Sequence, residues 1–166
     1  MWQKQKLEIL TLILVLQGAN KPFIDAFHTI MPQIGFTEVK RGNISLKDKT
    51  ATSKGVTVLV GLTKELGGNV AYNMSEETAK FVASTMMMGM PVESMDDMAQ
   101  SAISELANML TANSATNLSQ MGIEVDISTP ILTIGDGFTL KISNDKYICI
   151  EMLINSQTVE INVSIS

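Results

Sequence analysis

The chain has 166 residues, of which 45% are hydrophobic and 17% are charged, and its formal net charge is −5. This length and composition fit one globular domain with a full core and exclude an intrinsically disordered protein. The acidic balance leaves no basic footprint for a phosphate backbone, so nucleic acid is not an expected partner. One Cys excludes an internal disulfide, and one His excludes a metal site built from several histidines.

The first nineteen residues differ from the rest of the chain. Residues 7–16 are apolar apart from Glu8 and one threonine. This run is shorter than the roughly 20 residues of a membrane span, so no association with a membrane is expected. Three interpretations stay open: a packed extra helix or strand, a weak secretion signal, or translation from a start upstream of the true one. We predict an N-terminal hydrophobic extension over 1–19 and one domain over 20–166.

The domain is predicted to open with a helix. Asn20 is a suitable N-cap and Pro22 suits a first helical turn, and apolar residues then recur at helical spacing. Pro32 and Gly35 should end this helix. The pattern over residues 36–46 is extended.

A β-hairpin and a second helix are predicted next. Residues 55–62 are β-branched and almost entirely apolar, which is typical of a central strand. Residues 69–74 alternate and follow a Gly-Gly turn, so the two runs should pair. Ser75 is a suitable N-cap for a helix that should run toward Gly89.

A long helix is predicted from Ser94 to about Gln120, closed by Gly122. Four strand-like runs follow this helix, and three turn-forming pairs lie between them. The runs are residues 123–127, 138–142, 146–154 and 158–165, and the pairs are Asp136-Gly137, Asn144-Asp145 and Asn155-Ser156. The last run alternates strictly, so one of its faces should be buried and the other wet. These elements predict an α+β domain in which a mostly antiparallel sheet is layered with two long helices.

Several reactive or adaptable side chains have ordinary structural interpretations. A methionine cluster could form an adaptable binding surface, but packing within helices is the favoured interpretation. Its members are Met86, Met87, Met88, Met90, Met95, Met98, Met109 and Met121. His28 lies beside apolar residues and is interpreted as structural. Cys149 alternates with isoleucines in a strand and is interpreted as a small hydrophobic residue.

The long helix carries two distinct stripes. With Glu105 at zero and about 100° per residue, the apolar residues occupy an arc of roughly 60° to 160°. They are Met95, Ala99, Ala102, Ile103, Leu106 and Leu110. Ser101, Glu105, Asn108 and Ala112 lie between about −60° and zero. Glu105 and Asn108 are therefore neighbours on the surface, and the small residues Ser101 and Ala112 would let a partner approach closely. A solvated face is the ordinary interpretation of such a pair.

Three segments resemble the CheX branch of the CheC/CheX/FliY family, which are phosphatases of bacterial chemotaxis response regulators. The segments are residues 74–79, 83–87 and 101–109. The family motif is Asp or Ser, three residues, Glu, two residues and Asn, and Ser101, Glu105 and Asn108 fill it. Members of the CheC type carry two such motifs, whereas this chain carries one. The resemblance therefore favours CheX and one active site per chain.

The resemblance implies an enzyme, an aspartyl-phosphate phosphatase that acts on the phospho-aspartate of a CheY-type receiver domain. Glu105 would dock against the receiver's lysine, and Asn108 would orient the attacking water. No cofactor is expected on this chain, and Mg²⁺ is expected on the receiver. A cytoplasmic homodimer that pairs through strands is also implied. The alternative is a non-catalytic module that binds or sequesters a receiver or a motor-switch protein, and turnover distinguishes the two.

Overall fold

The computed structural model describes residues 2–5 and 20–165. Residues 2–5 are helical and exposed. The apolar run 7–16 lies outside the described residues, so the domain boundary at Asn20 stays a prediction. No helix in the described part of the chain has both the length and the apolar character needed to cross a membrane.

Residues 20–165 contain three helices and five strands. The helices are α1 (Lys21–Ile34), α2 (Glu76–Met86) and α3 (Asp97–Gln120). The strands are β1 (Val39–Lys64), β2 (Gly68–Ser75), β3 (Val125–Ile127), β4 (Ile131–Ile154) and β5 (Gln157–Ile165). Every strand pair is antiparallel. The predicted α+β class is confirmed.

The strand pairs close into a ring because β1 is long enough to be used twice. Its second half pairs with β2, β2 pairs with β5, β5 pairs with β4, and β4 returns to the first half of β1. Both edges of β2 and of β5 are thereby filled along most of their length. Among the described residues, the two long open edges belong to residues 39–54 of β1 and 131–147 of β4, and the short strand β3 has one open edge.

One face of the sheet carries the main core. All three helices pack on this face, and their buried residues join those of β1, β2, β4 and β5 in one cluster. The largest side chains that are fully buried there are Phe23, Phe27, Met31, Phe36, Leu66, Ile103, Leu118, Ile150, Met152, Ile154 and Ile161. Two of the helices, α1 and α3, are long, as predicted.

The second face of the sheet is also buried, so the predicted wet face of β5 is wrong. Glu160, Asn162 and Ser164 point away from the helices, yet all three are buried. The ribbon formed by β1 and β4 folds over them, and the carbonyl of Ile142 accepts bonds from Ser164 Oγ at 2.8 Å and Asn69 Nδ2 at 3.2 Å. A period of two shows which residues share a face, but it does not show what covers that face.

The long ribbon contains irregularities where the sequence predicts turns. Asp136-Gly137 and Asn144-Asp145 are not turns but lie inside β4, at points where its register with β1 shifts. A residue such as Gly137, with φ of 81°, serves a bulge as well as a turn. The predicted segment 55–62 and residues 39–46 of the predicted segment 36–46 likewise belong to the single strand β1. The predicted turn at Asn155-Ser156 is confirmed.

Two glycines face each other in the ribbon. Gly55 pairs with Gly135, and both have positive φ, 143° and 151°. A Cβ on Gly55 would lie 2.7 Å from the backbone nitrogen of Glu76. Glycine is therefore required for β1 to pass this close to the start of α2.

The helix ends agree in part with the predictions. Ser75 caps α2 as predicted, and its Oγ accepts from Thr78 N at 3.1 Å, but α2 ends at Met86. Pro32 does not end α1, because the carbonyl it leaves without a donor belongs to His28, which is exposed to water. The cap of α3 is Asp96 rather than Ser94, since Asp96 Oδ1 accepts from Ala99 N at 2.9 Å.

The end of α3 is the one predicted. Gly122 has φ of 84°, and Ile123 N bonds back to Leu118 O at 3.0 Å. The two bonds from Gly122 N and Ile123 N form a Schellman motif, which satisfies carbonyls of the last turn.

A buried pair of hydroxyls holds α3 on the sheet. Tyr72 Oη lies 2.8 Å from Thr111 Oγ1. Thr111 already donates its proton to Ala107 O at 2.7 Å, so Tyr72 is the donor. Asn117 on the same helix donates to Pro22 O at 2.9 Å and ties α3 to the start of α1. These bonds fix the rotation of α3 about its own axis.

We expect Tyr72→Phe to lower the free energy of unfolding by about 1 kcal/mol, the net value of one buried hydrogen bond. The aromatic ring stays in the core, and Thr111 keeps its bond to Ala107 O. Urea unfolding measures the loss, and hydrogen exchange should show faster exchange of the α3 amides. Tyr147→Phe is the matched control, because it removes the 2.9 Å bond to Thr50 O in the ribbon. Equal exchange of α3 in both variants would contradict the anchoring role.

Cys149 lies on the second face, where the interpretation as a small buried residue is confirmed. Its thiol is 2% exposed and lies 3.7 Å from Glu160 Oε2. Burial, followed by the neighbouring Glu160 carboxylate, raises the pKa of the Cys149 thiol from 9.0 to about 11. The folded protein therefore holds this proton at a pH where the unfolded chain releases it.

We expect the free energy of unfolding to fall between pH 9 and pH 11, since only the folded state keeps the Cys149 proton there. Below pH 9 the contribution of the thiol is complete. Burial also raises the pKa of Tyr72, which adds to the loss above pH 10. Urea unfolding of Cys149→Ala across this range should give a shallower slope than wild type. Parallel slopes would show that the thiol is not the group responsible.

Candidate active site

The buried arc of α3 is wider than its apolar residues predict. Met95, Ala99, Ile103, Leu106 and Leu110 are buried as expected, and Ala102 is half-buried. Beyond them Ala107, Thr111, Ser114 and Leu118 are also buried, at about 180° to 240° on the same scale. Thr111 and Ser114 can lie there because each hydroxyl bonds to the carbonyl four residues earlier, at 2.7 Å and 2.8 Å.

The exposed stripe is correspondingly narrow. Ser101, Glu105 and Ala112 are exposed as predicted. The prediction that Asn108 is well exposed is wrong. Asn108 is half-buried, because it is the neighbour of the buried Thr111 on the helix surface. The hydroxyl residues at 111 and 114 were the available signal, since Thr and Ser at helical spacing can line a buried arc.

Glu105 and Asn108 form a compact pair on this stripe. They are three residues apart, which is a rise of about 4.5 Å, on neighbouring positions of the helix surface. Neither side chain forms an ion pair or a hydrogen bond with another of the residues described in 2–5 and 20–165. Both are available to a partner. Ser101 and Ala112 lie about 6 Å along the axis on either side, and their small side chains do not obstruct the pair.

The charge on this helix is entirely negative. Within Asp97–Gln120 the ionisable residues are Asp97 and Glu105, and no Lys, Arg or His is present. Glu105 can accept hydrogen bonds from a cation, and Asn108 can donate and accept without adding charge. A carboxylate beside a carboxamide can therefore hold a cationic group and orient a water molecule. These two tasks require no nucleophile from this chain.

Other reactive groups lie on other elements of the fold. His28 lies on α1 and is exposed to solvent, although apolar residues flank it in the sequence. Glu160 pairs with Lys54 Nζ at 3.0 Å beside a polar cavity of about 270 Å³ on the second face of the sheet. No group of three or more His, Cys, Asp or Glu side chains in the described ranges is placed to hold a metal ion.

Comparisons with known proteins agree on one family. Residues 56–153 match the family model described as chemotaxis phosphatase CheX. A CheY-P phosphatase CheX from Thermotoga maritima is 36% identical over 115 residues, which is 69% of this chain and 74% of that protein.

Solved structures share the fold. A chain of the CheX–CheY–BeF3–Mg²⁺ complex from Borrelia burgdorferi superposes with a TM-score of 0.73 at 28% identity, covering 87% of this chain and 96% of that chain. A chemotaxis protein CheX from Desulfovibrio desulfuricans superposes with a TM-score of 0.79 at 22% identity, covering 89% and 98%. The Glu105 and Asn108 pair lies inside the residues that the family model matches. The chain belongs to the CheX family of chemotaxis phosphatases.

Proposed function

We propose that this protein removes the phosphoryl group from the phospho-aspartate of a CheY-type response regulator, with Glu105 and Asn108 acting in trans. The observation that carries the proposal is the pairing of an exposed carboxylate with a half-buried carboxamide on one unobstructed stripe of α3. The Thermotoga maritima relative is a CheY-P phosphatase, which supports the same substrate here.

The substrate leaves little chemistry for this chain to supply. An acyl phosphate is already reactive, and phosphoryl transfer depends mainly on positioning and electrostatic stabilisation. The Borrelia burgdorferi complex contains Mg²⁺ and a BeF3 group together with CheX and CheY. By analogy, the metal would be held by the receiver, and this chain would bind no cofactor. The remaining requirement is a water molecule placed in line with the bond that breaks.

Asn108 suits the task of orienting that water. Its amide offers donors and an acceptor and puts no further negative charge beside a phosphoryl group. Because Asn108 is half-buried beside Thr111, fewer rotamers are available to its side chain. A side chain that is already ordered loses less entropy when it holds a water in a reactive geometry.

Glu105 suits the task of docking. Its exposed carboxylate can reach a lysine of the receiver and form a charge-assisted hydrogen bond. Such a bond fixes the register between the two proteins and so determines where Asn108 points. Ser101 and Ala112 would contact the receiver as small residues that let the two surfaces approach.

The competing function is sequestration, in which the same stripe binds a receiver or a motor-switch protein without turnover. Loss of label from a phosphorylated receiver at substoichiometric protein distinguishes the two. An enzyme acting on a CheY-type regulator would share its compartment, so we place this protein in the cytoplasm.

We expect Asn108→Ala to lower the single-turnover rate at saturating protein by roughly 10²-fold, because the attacking water loses its support. Glu105→Ala should instead raise the half-saturating protein concentration, and the defect should grow with ionic strength. Both variants should fold, since Ala has the highest helix propensity and neither side chain bonds to another of the described residues. Asn113→Ala, also half-buried on α3, and Glu77→Ala on α2 are the matched controls. A wild-type rate for Asn108→Ala would favour sequestration.

We also propose a homodimer that pairs through the open edge of β1. Residues 39–54 present unpaired backbone groups, with Ile44 38% and Leu46 60% exposed. An open edge of this length favours pairing with another strand. Sedimentation at micromolar concentration should show a dimer, and Ile44→Asp combined with Leu46→Asp should shift it to monomer. Ile131→Asp, on the edge of β4, is the control, and a monomeric wild type would contradict the proposal.

A further inference from the structure

The methionines in α3 and next to its two ends differ in burial. Met95 is buried in the core, as the packing interpretation predicts. Met98 is 62% exposed and Met121 is 53% exposed, so for these two residues that interpretation is wrong. Leaving a large apolar side chain in water forgoes the gain from burial, which gives such a residue a reason to bind a partner.

The position of Met98 relates it to Glu105. The two are seven residues apart, so Met98 lies about 20° from Glu105 around the helix and about 10 Å away along it. The exposed residue Asp97 lies beside it. Toward the other end, the stripe continues through Ala112, Thr116 and Ser119, all small or polar. Met109 lies about 40° from Glu105 but is half-buried and packs against the core. Met98 is therefore the one exposed large apolar side chain on the stripe within α3.

We propose that Met98 is an apolar anchor for the same receiver domain, with Asp97 as its charged flank. The inference rests on the proposed function, because it takes the receiver as the protein that covers Glu105. A specific interface covers about 800 Å² on each partner, which is a patch roughly 30 Å across. A partner centred on Glu105 and Asn108 therefore covers a side chain 10 Å away on the same straight helix.

The anchor defines the chemistry of the receiver surface that it meets. Large side chains supply most interface energy, and methionine is enriched at interfaces, whereas small residues contribute complementarity. The receiver should present a shallow apolar depression about 10 Å from its lysine, with a cation or neutral groups facing Asp97. Since α3 carries no cation, a receiver with acidic residues at that point would be disfavoured.

Binding to a receiver loaded with BeF3 and Mg²⁺ tests the anchor without requiring turnover. Met98→Ala should raise the Kd roughly tenfold, and Met98→Leu should stay close to wild type because it keeps an apolar side chain. Met121→Ala is the matched control, since Met121 lies about 160° around the axis from Glu105. In the dephosphorylation assay, the half-saturating protein concentration of Met98→Ala should rise in step with its Kd.

The charged flank has its own readout. Asp97→Asn should flatten the dependence of the association rate on ionic strength, while Glu77→Gln on α2 should leave it unchanged. A wild-type Kd for Met98→Ala, or an equal loss for Met121→Ala, would overturn the anchor. A wild type that binds the loaded receiver without hydrolysing a phosphorylated one would refute the proposed catalysis and leave the anchor supported by its own Kd values.

Discussion

Tyr72 reaches from β2 to Thr111 beneath α3, and this 2.8 Å contact between two hydroxyls determines how the helix faces the solvent. A rotation of α3 equal to one residue would place Asn108 either fully in water or between the helix and the sheet. The buried arc of α3 includes polar residues, so the hydrophobic effect alone would not prevent such a rotation. A directional bond in an apolar setting does not tolerate it, because an unpaired buried hydroxyl is costly. The geometry of the exposed pair thus depends on a residue that never contacts a partner.

The type of the elements could be predicted from the sequence, whereas the number and lengths of the strands could not. Period and cap chemistry identified the hairpin of β1 with β2, the cap at Ser75 and the end of α3 at Gly122. Turn-forming residues inside β4 were misleading, because Gly137 allows a bulge as readily as a turn. β4 continues past such a residue because its partner strand β1 continues. No local sequence pattern shows this, because β1 is distant along the chain.

The site was predictable in its residues and less so in its environment. The spacing of Glu105 and Asn108 places them on one stripe in any α-helix. The half-burial of Asn108 depends on Thr111 and Ser114, whose hydroxyls bond within the helix and so behave as core residues. Hydropathy counts those residues as polar. The burial of Glu160 on the second face had a different origin, since its ion-pair partner Lys54 belongs to β1 and is distant in sequence.

The closed ring of strand pairs has a consequence for how the chain acquires its structure. Val39 pairs with Ile154, roughly 115 residues later. The first half of β1 therefore cannot pair until nearly the whole domain has been synthesised. Contacts of such high sequence separation slow folding, because the entropy of closing the loop is lost before pairing compensates for it. The hairpin of β1 with β2 and the helices α2 and α3 are local and can form earlier. The ribbon should therefore be the last part to assemble, and a nascent chain halted before β4 would expose β1 to other chains.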